Sequence, residues 1–522
     1  MSIVASSAPT FEWRNVEGAD GVKLQVCRDA ECTNVALDLP FLGSRATVEA
    51  KLARGTYFWR AFSSALRSGS TDRVVGTTPS APQRFYVTAV GTTAARFETI
   101  LDTNDDGTSD VVVGAPQSDG AAGHAFVFLG HRGGSLLASP PLILGDGTNG
   151  ALGFGHAISA LGDTNRDGFG DIVIGAPGAE RGTGRVFVYL GSASGPSAGP
   201  ALSLAGDEKD GEFGRAVVGG LDIEGDGSPD LVVGAPGTKG GAGRVVVFGK
   251  ASIGLSATPV AVIDGAPGER FGSAVANAFD LNGDGYGDLV VGAPRARDGR
   301  GRVYVYFGGK TGLQLDAAKV VTLEAPTPNE SFGASLSGVA NMLGDGTPGF
   351  AVGAPLADAG SGKVYVYFGD PTGVKLVPSA TLKGAEKSAF GCSVAGAGDV
   401  DRDGFDDIVV GAYFGMGGSG RAVVHFGGPT GPQTRTAELA GNGLGEHFGF
   451  SVGGPGDVDG DGFADLVVGA PRSSVDTGRA YVFGGASGAP TAPVVLEGSG
   501  VNARFGTGIA HVPGAIPLPV QK

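Results

Sequence analysis

The sequence predicts an all-β chain, a seven-bladed β-propeller behind a small β-sandwich, and three observations predict it. Glycine makes up 97 of the 522 residues. A fifteen-residue tract recurs seven times at a nearly constant interval. Each recurrence is followed by further β-branched and aromatic runs bounded by glycine. Glycine at this level without a period would point to disorder, and with a period it points to a turn-dense repeat. Hydrophobic residues at 41% and charged residues at 17% supply a large core and exclude a disordered polyelectrolyte.

The seven tracts are DTNDDGTSDVVVGAP from Asp102, DTNRDGFGDIVIGAP from Asp163, DIEGDGSPDLVVGAP from Asp222, DLNGDGYGDLVVGAP from Asp280, NMLGDGTPGFAVGAP from Asn341, DVDRDGFDDIVVGAY from Asp399 and DVDGDGFADLVVGAP from Asp457. A Phe-Gly pair stands nine residues before six of these starts, at Phe154, Phe213, Phe271, Phe332, Phe390 and Phe448. After each GAP comes a second run such as GRVYVYFGG from Gly301, then a third such as VVTLEA from Val320. One unit is therefore four short strands, and no capped amphipathic stretch of helical length interrupts them. About 60 residues in four strands cannot bury both faces alone, and radial stacking around an axis solves that. The first unit lacks its Phe-Gly pair, while an extra pair, Phe505-Gly506, follows the last unit. A C-terminal strand is expected to complete the first blade.

Each tract opens with D-x-[DN]-x-D-G-x-x-D, which offers side-chain oxygens at positions one, three, five and nine. Glycine at position six permits the tight turn, and hard oxygen donors suit Ca²⁺. The expected ligands are Asp102, Asn104, Asp106 and Asp110; Asp163, Asn165, Asp167 and Asp171; Asp222, Glu224, Asp226 and Asp230; Asp280, Asn282, Asp284 and Asp288; Asp399, Asp401, Asp403 and Asp407; and Asp457, Asp459, Asp461 and Asp465. Position twelve, Glu in an EF-hand, is Val or Ile here, so the ion is expected in a strand-to-strand turn. The fifth loop has Asn341, Leu343, Asp345 and Gly349 at these positions and is expected to hold no ion. Glu224 is one methylene too long, so the third loop is expected to bind more weakly. The net charge is −15, and six divalent cations would bring it to −3. The acidity is thus mostly a property of the loops.

This unit resembles the FG-GAP repeat of integrin α-subunit propellers and their bacterial relatives, over residues 90–515. The resemblance implies a seven-bladed propeller with Ca²⁺ in these loops, and extracellular binding or adhesion. Integrin-like sites usually occupy fewer blades than the six loops competent here. No inserted domain interrupts the repeats, and a monomer is expected. Residues 7–89 contain both tryptophans, Trp13 and Trp59, and resemble a fibronectin type III-like sandwich, with Tyr57 placed like the tyrosine corner of that fold. Cys27 and Cys32 are expected to pair across a hairpin, which would imply export.

The acidic balance and the lack of a basic stretch exclude ordinary nucleic-acid binding. No apolar run reaches the roughly 18 residues of a membrane helix, and the N-terminus MSIVASSAPT does not read as a signal peptide. The six histidines form no metalloprotease motif, and no nucleophile elbow or phosphate loop appears. An enzyme is not expected; the alternatives are a polysaccharide-active enzyme on a propeller scaffold and a passive surface scaffold. The loops after each GAP lie on the face opposite the acidic loops. There Arg295, Arg297, Tyr413, Phe414 and Arg472 are candidates for capturing a glycan or extracellular protein ligand. The expected whole is a Ca²⁺-binding recognition protein, bacterial, secreted or at the cell surface.

Overall fold

A computed structural model describes residues 101–132, 141–146, 152–370, 373–498, 500 and 502–510, and, nearer the N-terminus, 2–4, 10–12, 21–27, 35–42, 45–47, 55–66, 73–79 and 83–87. In the repeat region seven antiparallel sheets follow one another. The second blade is typical: Ala157–Gly162, Asp171–Ala176, Arg185–Tyr189 and Leu202–Ala205 pair in chain order. Its second strand is buried at every residue, as expected of a strand covered on both faces. The fifth blade adds a two-residue hairpin strand, Gly373–Val374.

The innermost strands form a closed cycle. Ala157–Gly162, Ala216–Leu221, Ala274–Asn277, Ser335–Val339, Ser393–Gly398 and Ser451–Gly456 touch in succession. Gly508–Ile509 lies between the last and the first. That short strand pairs Gly508 with Gly114 and Ile509 with Val113, so the first blade is completed from the far end of the chain. Phe505 packs edge-on against Phe126 and Phe128 of this blade at 5.3 and 6.4 Å. Phe154 takes the same place against Phe187 and Tyr189 of the second blade.

The Phe-Gly pairs do more than open a strand. Each phenylalanine backbone bridges the glycine before the third strand of the preceding blade, from Gly123 with Phe154 to Gly478 with Phe505. Its ring is buried, a contribution of about 1.5–3 kcal/mol each. The glycine that follows has positive φ, +85° at Gly214. Its carbonyl oxygen lies only 2.1 Å from where a Cβ on Gly175 of the preceding blade would sit. Glycine in both FG and GAP is therefore what lets neighbouring blades approach this closely.

The loops after GAP contain four-residue helical turns, such as Ala179–Gly182, with left-handed residues inside. The blade-six turn, Gly415–Gly418, is a 3₁₀ turn instead.

Near the N-terminus, one sheet runs in the order Ser2–Val4, Gln83–Val87, Gly55–Leu66, Gly21–Cys27 and Val35–Leu42, with Arg73–Pro79 also on Gly55–Leu66. Thr10–Glu12 and Arg45–Thr47 form a second pair. Val22, Leu24 and Val26 are buried and alternate with Lys23 and Gln25, the period of a half-covered strand. Tyr57 lies on the long strand, and Trp13 is outside the described residues. Cys27 is disulfide-bonded; its expected partner Cys32 is outside the described residues.

Candidate functional site

Each acidic loop leads into the second strand of its blade, directly from the innermost strand in every blade but the first, and its backbone is folded around its own carboxylates. In all six, the position-one Asp accepts the amide of position five on Oδ1 and of position six on Oδ2, at 2.8–3.2 Å. The position-nine Asp accepts the amide of position two on Oδ2 at 2.7–2.9 Å. In five loops its Oδ1 accepts an amide twenty residues on, from Gly130, Gly191, Gly308, Gly427 and Gly485. Thr103 and Thr164 add hydroxyl donors at 2.5 Å. Position nine is thereby fixed and buried in every acidic loop, position one is buried in four and half-buried at Asp163 and Asp280, and position five is exposed in all six.

Burial pushes these carboxyls up. Asp102, Asp171 and Asp280 rise to about 6 and Asp110 and Asp457 to about 7, with desolvation the largest cause and the loop hydrogen bonds opposing it. Asp288, Asp407 and Asp465 lie well above the usual range for the same reason. Crowded, desolvated carboxylates of this kind are relieved by a cation. Two loops bring three ligand oxygens within 4.8 Å of one another: Asp399, Asp401 and Asp403, and Asp457, Asp459 and Asp465. Asp401 Oδ1 is buried with no hydrogen-bond partner. The donor set is acceptor-only oxygen, which fits a hard divalent cation.

Some neighbours were invisible in the repeat. Arg435 donates through Nη2 to Asp401 Oδ2, lies 3.8 Å from Asp403, and stacks 3.8 Å over the Phe426 ring. In the third loop Lys250 lies 3.6 Å from Asp226. There Asp230 is pushed up by burial and then by Glu224, so these two carboxyls crowd each other.

The fifth loop keeps the turn with a single acid, Asp345. Asn341 Oδ1 accepts the Gly346 amide at 2.7 Å. Leu343 packs on a cluster containing Met342 and Phe368. A Cβ at Gly349 would lie 2.4 Å from Tyr367 O, so position nine has no room for aspartate.

On the opposite rim the structure brings some candidates together. Tyr413 and Phe414 have ring centroids 4.2 Å apart, and His447 and Phe450 from the next blade lie 5.3 and 5.6 Å from Tyr413. Phe414 is 49% and Phe450 39% exposed, so this is an open aromatic cluster. Arg472 approaches it electrostatically, since burial and then Arg472 hold His447 below its usual range. Arg295 and Arg297 belong to the fourth blade, with the fifth between them and the cluster, and Arg297 lies 3.4 Å from Glu324. The other blades have Pro where Tyr413 stands. That substitution was readable; His447 and Phe450 are neighbours only across a blade junction.

Among the described residues one nucleophile-like contact occurs: Ser118 Oγ lies 2.7 Å from His124 Nδ1, and Asp119 lies 3.8 Å from His124 Nε2. Ser118 also bonds Ala115 O, as Thr238 bonds Ala235 O two blades on. The hydroxyl closes the turn. His425, on the strand Arg421–His425, packs edge-on against Phe390 at 5.9 Å.

Fold and site define a β-propeller with acidic loops on one face and an aromatic-lined rim on the other. The FG-GAP repeat family matches residues 154–189, 213–248, 271–306, 390–425 and 448–483. The two blades outside those matches are the one closed from the far end and the one whose loop keeps only Asp345. Integrin alpha-5 of Xenopus laevis is 34% identical over 45% of this chain and 24% of its own length. Phosphatidylinositol-glycan-specific phospholipase D of Mus musculus is 40% identical over 29% of this chain and 19% of its own. Among solved structures, the Dos1 propeller aligns at 11% identity and TM-score 0.39 over 88% of this chain and 93% of that one. The chain is an integrin α-like FG-GAP propeller that spans about a quarter or less of the length of these curated relatives. Among the described residues no helix is long and apolar enough to cross a membrane.

Proposed function

We propose that this is a calcium-binding recognition protein acting outside the cell, a propeller over residues 90–515 behind a fibronectin type III-like sandwich over 7–89. Six loops each take one Ca²⁺ and the fifth takes none. The observation that carries the reading is the loop geometry repeated six times, with Asp401 Oδ1 buried and unpartnered among acids. The ions fix loop geometry, so the face opposite is presented without an ordering cost. The disulfide at Cys27 supports an oxidising compartment, and the integrin similarity supports adhesion through a protein or glycan ligand. That ligand binds the rim between the sixth and seventh blades, where Phe414 and Phe450 offer exposed rings, Tyr413 and His447 half-buried ones and Arg472 a charge.

Calcium titration of the chelated full chain should saturate near six ions, and chelation should lower the melting temperature by several degrees. A plateau of two would reduce most loops to turns. On glycan and matrix-protein arrays, Phe414→Ala with Phe450→Ala should abolish the calcium-dependent hits. Hits that survive it would place the ligand elsewhere. An enzymatic reading has the phospholipase D relative as its support; the match covers 19% of that protein. Cleavage of a phosphatidylinositol-glycan substrate by the full chain would favour it.

A further inference from the structure

The loops are tied to one another around the ring through backbone. At five junctions the amide of position eight donates to the position-one carbonyl of the preceding loop. These are Ser109 to Asp457 at 2.8 Å, Gly170 to Asp102 at 2.9 Å, Gly287 to Asp222 at 2.7 Å, Asp406 to Asn341 at 3.1 Å and Ala464 to Asp399 at 3.1 Å. A second bond crosses the same junctions, from His131, Ser192, Gly309, Gly428 and Ala486 to the position-two carbonyls of Val458, Thr103, Ile223, Met342 and Val400, at 2.9–3.0 Å. At the other two junctions position eight is Pro229 and Pro348. Proline has no amide hydrogen, so the first bond cannot form there. Between loops two and three, Ala251 turns its amide back to Gly254 O, and the link is the exposed Arg166 side chain on Gly227 O and Ser228 Oγ.

Pro229 and the acid-poor loop five thus divide the acidic loops. Loops six, seven, one and two form one uninterrupted run, and loops three and four form another. Loop five is bonded to loop six but keeps only one carboxylate at a ligand position, Asp345. At four of the five junctions the first bond joins the carbonyl of one ligand residue to the peptide beside another ligand, the position-nine Asp. An ion that fixes one loop therefore presents the next with a partner already held in place. The neighbour then has less backbone to order, and its affinity rises with no change of contacts at its own ion.

We propose that the acidic loops fill in two coupled groups, four ions in loops six, seven, one and two, and two ions in loops three and four, with Pro229 and the ion-free loop five as the breaks. This rests on the calcium reading above.

The test is native mass spectrometry of the full chain, stripped with chelator and titrated with Ca²⁺, counting ions per molecule. Molecules with zero, two, four and six ions should dominate, and odd counts should be scarce. Ser109→Pro cuts the larger group between loops seven and one; loops three and five already accept proline at this position. It should still bind six ions, but the four-ion step should split into two-ion steps, with a midpoint about fivefold higher in calcium. Pro229→Ala restores an amide between loops two and three and should merge the groups. Six ions taken up with a binomial spread, unchanged by either variant, would overturn the coupling and leave the calcium reading standing. No uptake at all would overturn both.

Discussion

A Cβ at Gly411 would lie 2.0 Å from the carbonyl oxygen of Gly449 in the next blade. No rotamer change relieves that contact, because both partners are backbone. Gly411→Ala should therefore cost about 3 kcal/mol, the upper end for overpacking, read as a lower urea midpoint with unchanged slope. An effect under about 0.5 kcal/mol, the range of a tolerated surface change, would show that the blades can slide apart. The same scale explains what was legible. The loop ligands and the FG and GAP glycines were readable because their spacing is local and repeated. Arg435 on Asp401 was not, since it comes from a different part of the blade at no fixed motif position. His447 and Phe450 were hidden for a similar reason: they meet Tyr413 only when two blades are adjacent.

At the scale of a single loop, the raised carboxyls give the metal-free protein an unusual pH response. Asp102, Asp110, Asp171, Asp280 and Asp457 sit at about 6 to 7 in the folded chain, against about 3.9 unfolded. Between these values the folded state holds more protons than the unfolded one. Stability contributed by these groups is then present at low pH and lost as pH rises towards 7. In chelator, the melting temperature should be higher at pH 5 than at pH 7. In excess calcium the order should reverse, because the ion takes the proton's place and competes best when the carboxyls are ionised. Scanning fluorimetry across that window checks both slopes, and parallel slopes in the two buffers would contradict an ion at these loops.

For the whole molecule, the seven-fold count was legible from the repeat, and the displaced Phe505-Gly506 pair announced the closure. Completing the first blade from the far end makes ring integrity depend on a few residues. A chain ending at Gly498 loses Phe505 and Ile509 from the core shared by blades seven and one. At about 1.5–3 kcal/mol each, and 2–4 °C per kcal/mol, its melting temperature should fall by about 10 °C; an unchanged melt would mean the ring closes without this strand. The same clasp sets an order on biosynthesis. The first blade leaves the ribosome with the inner edge of Val111–Ala115 unpaired, and that edge stays open while every other blade is made. Only the last stretch of the repeat region can cover it. A nascent chain is therefore exposed to intermolecular strand pairing for almost the whole of its synthesis, and a ribosome stalled anywhere before residue 508 holds an open arc with two sticky ends rather than a smaller propeller.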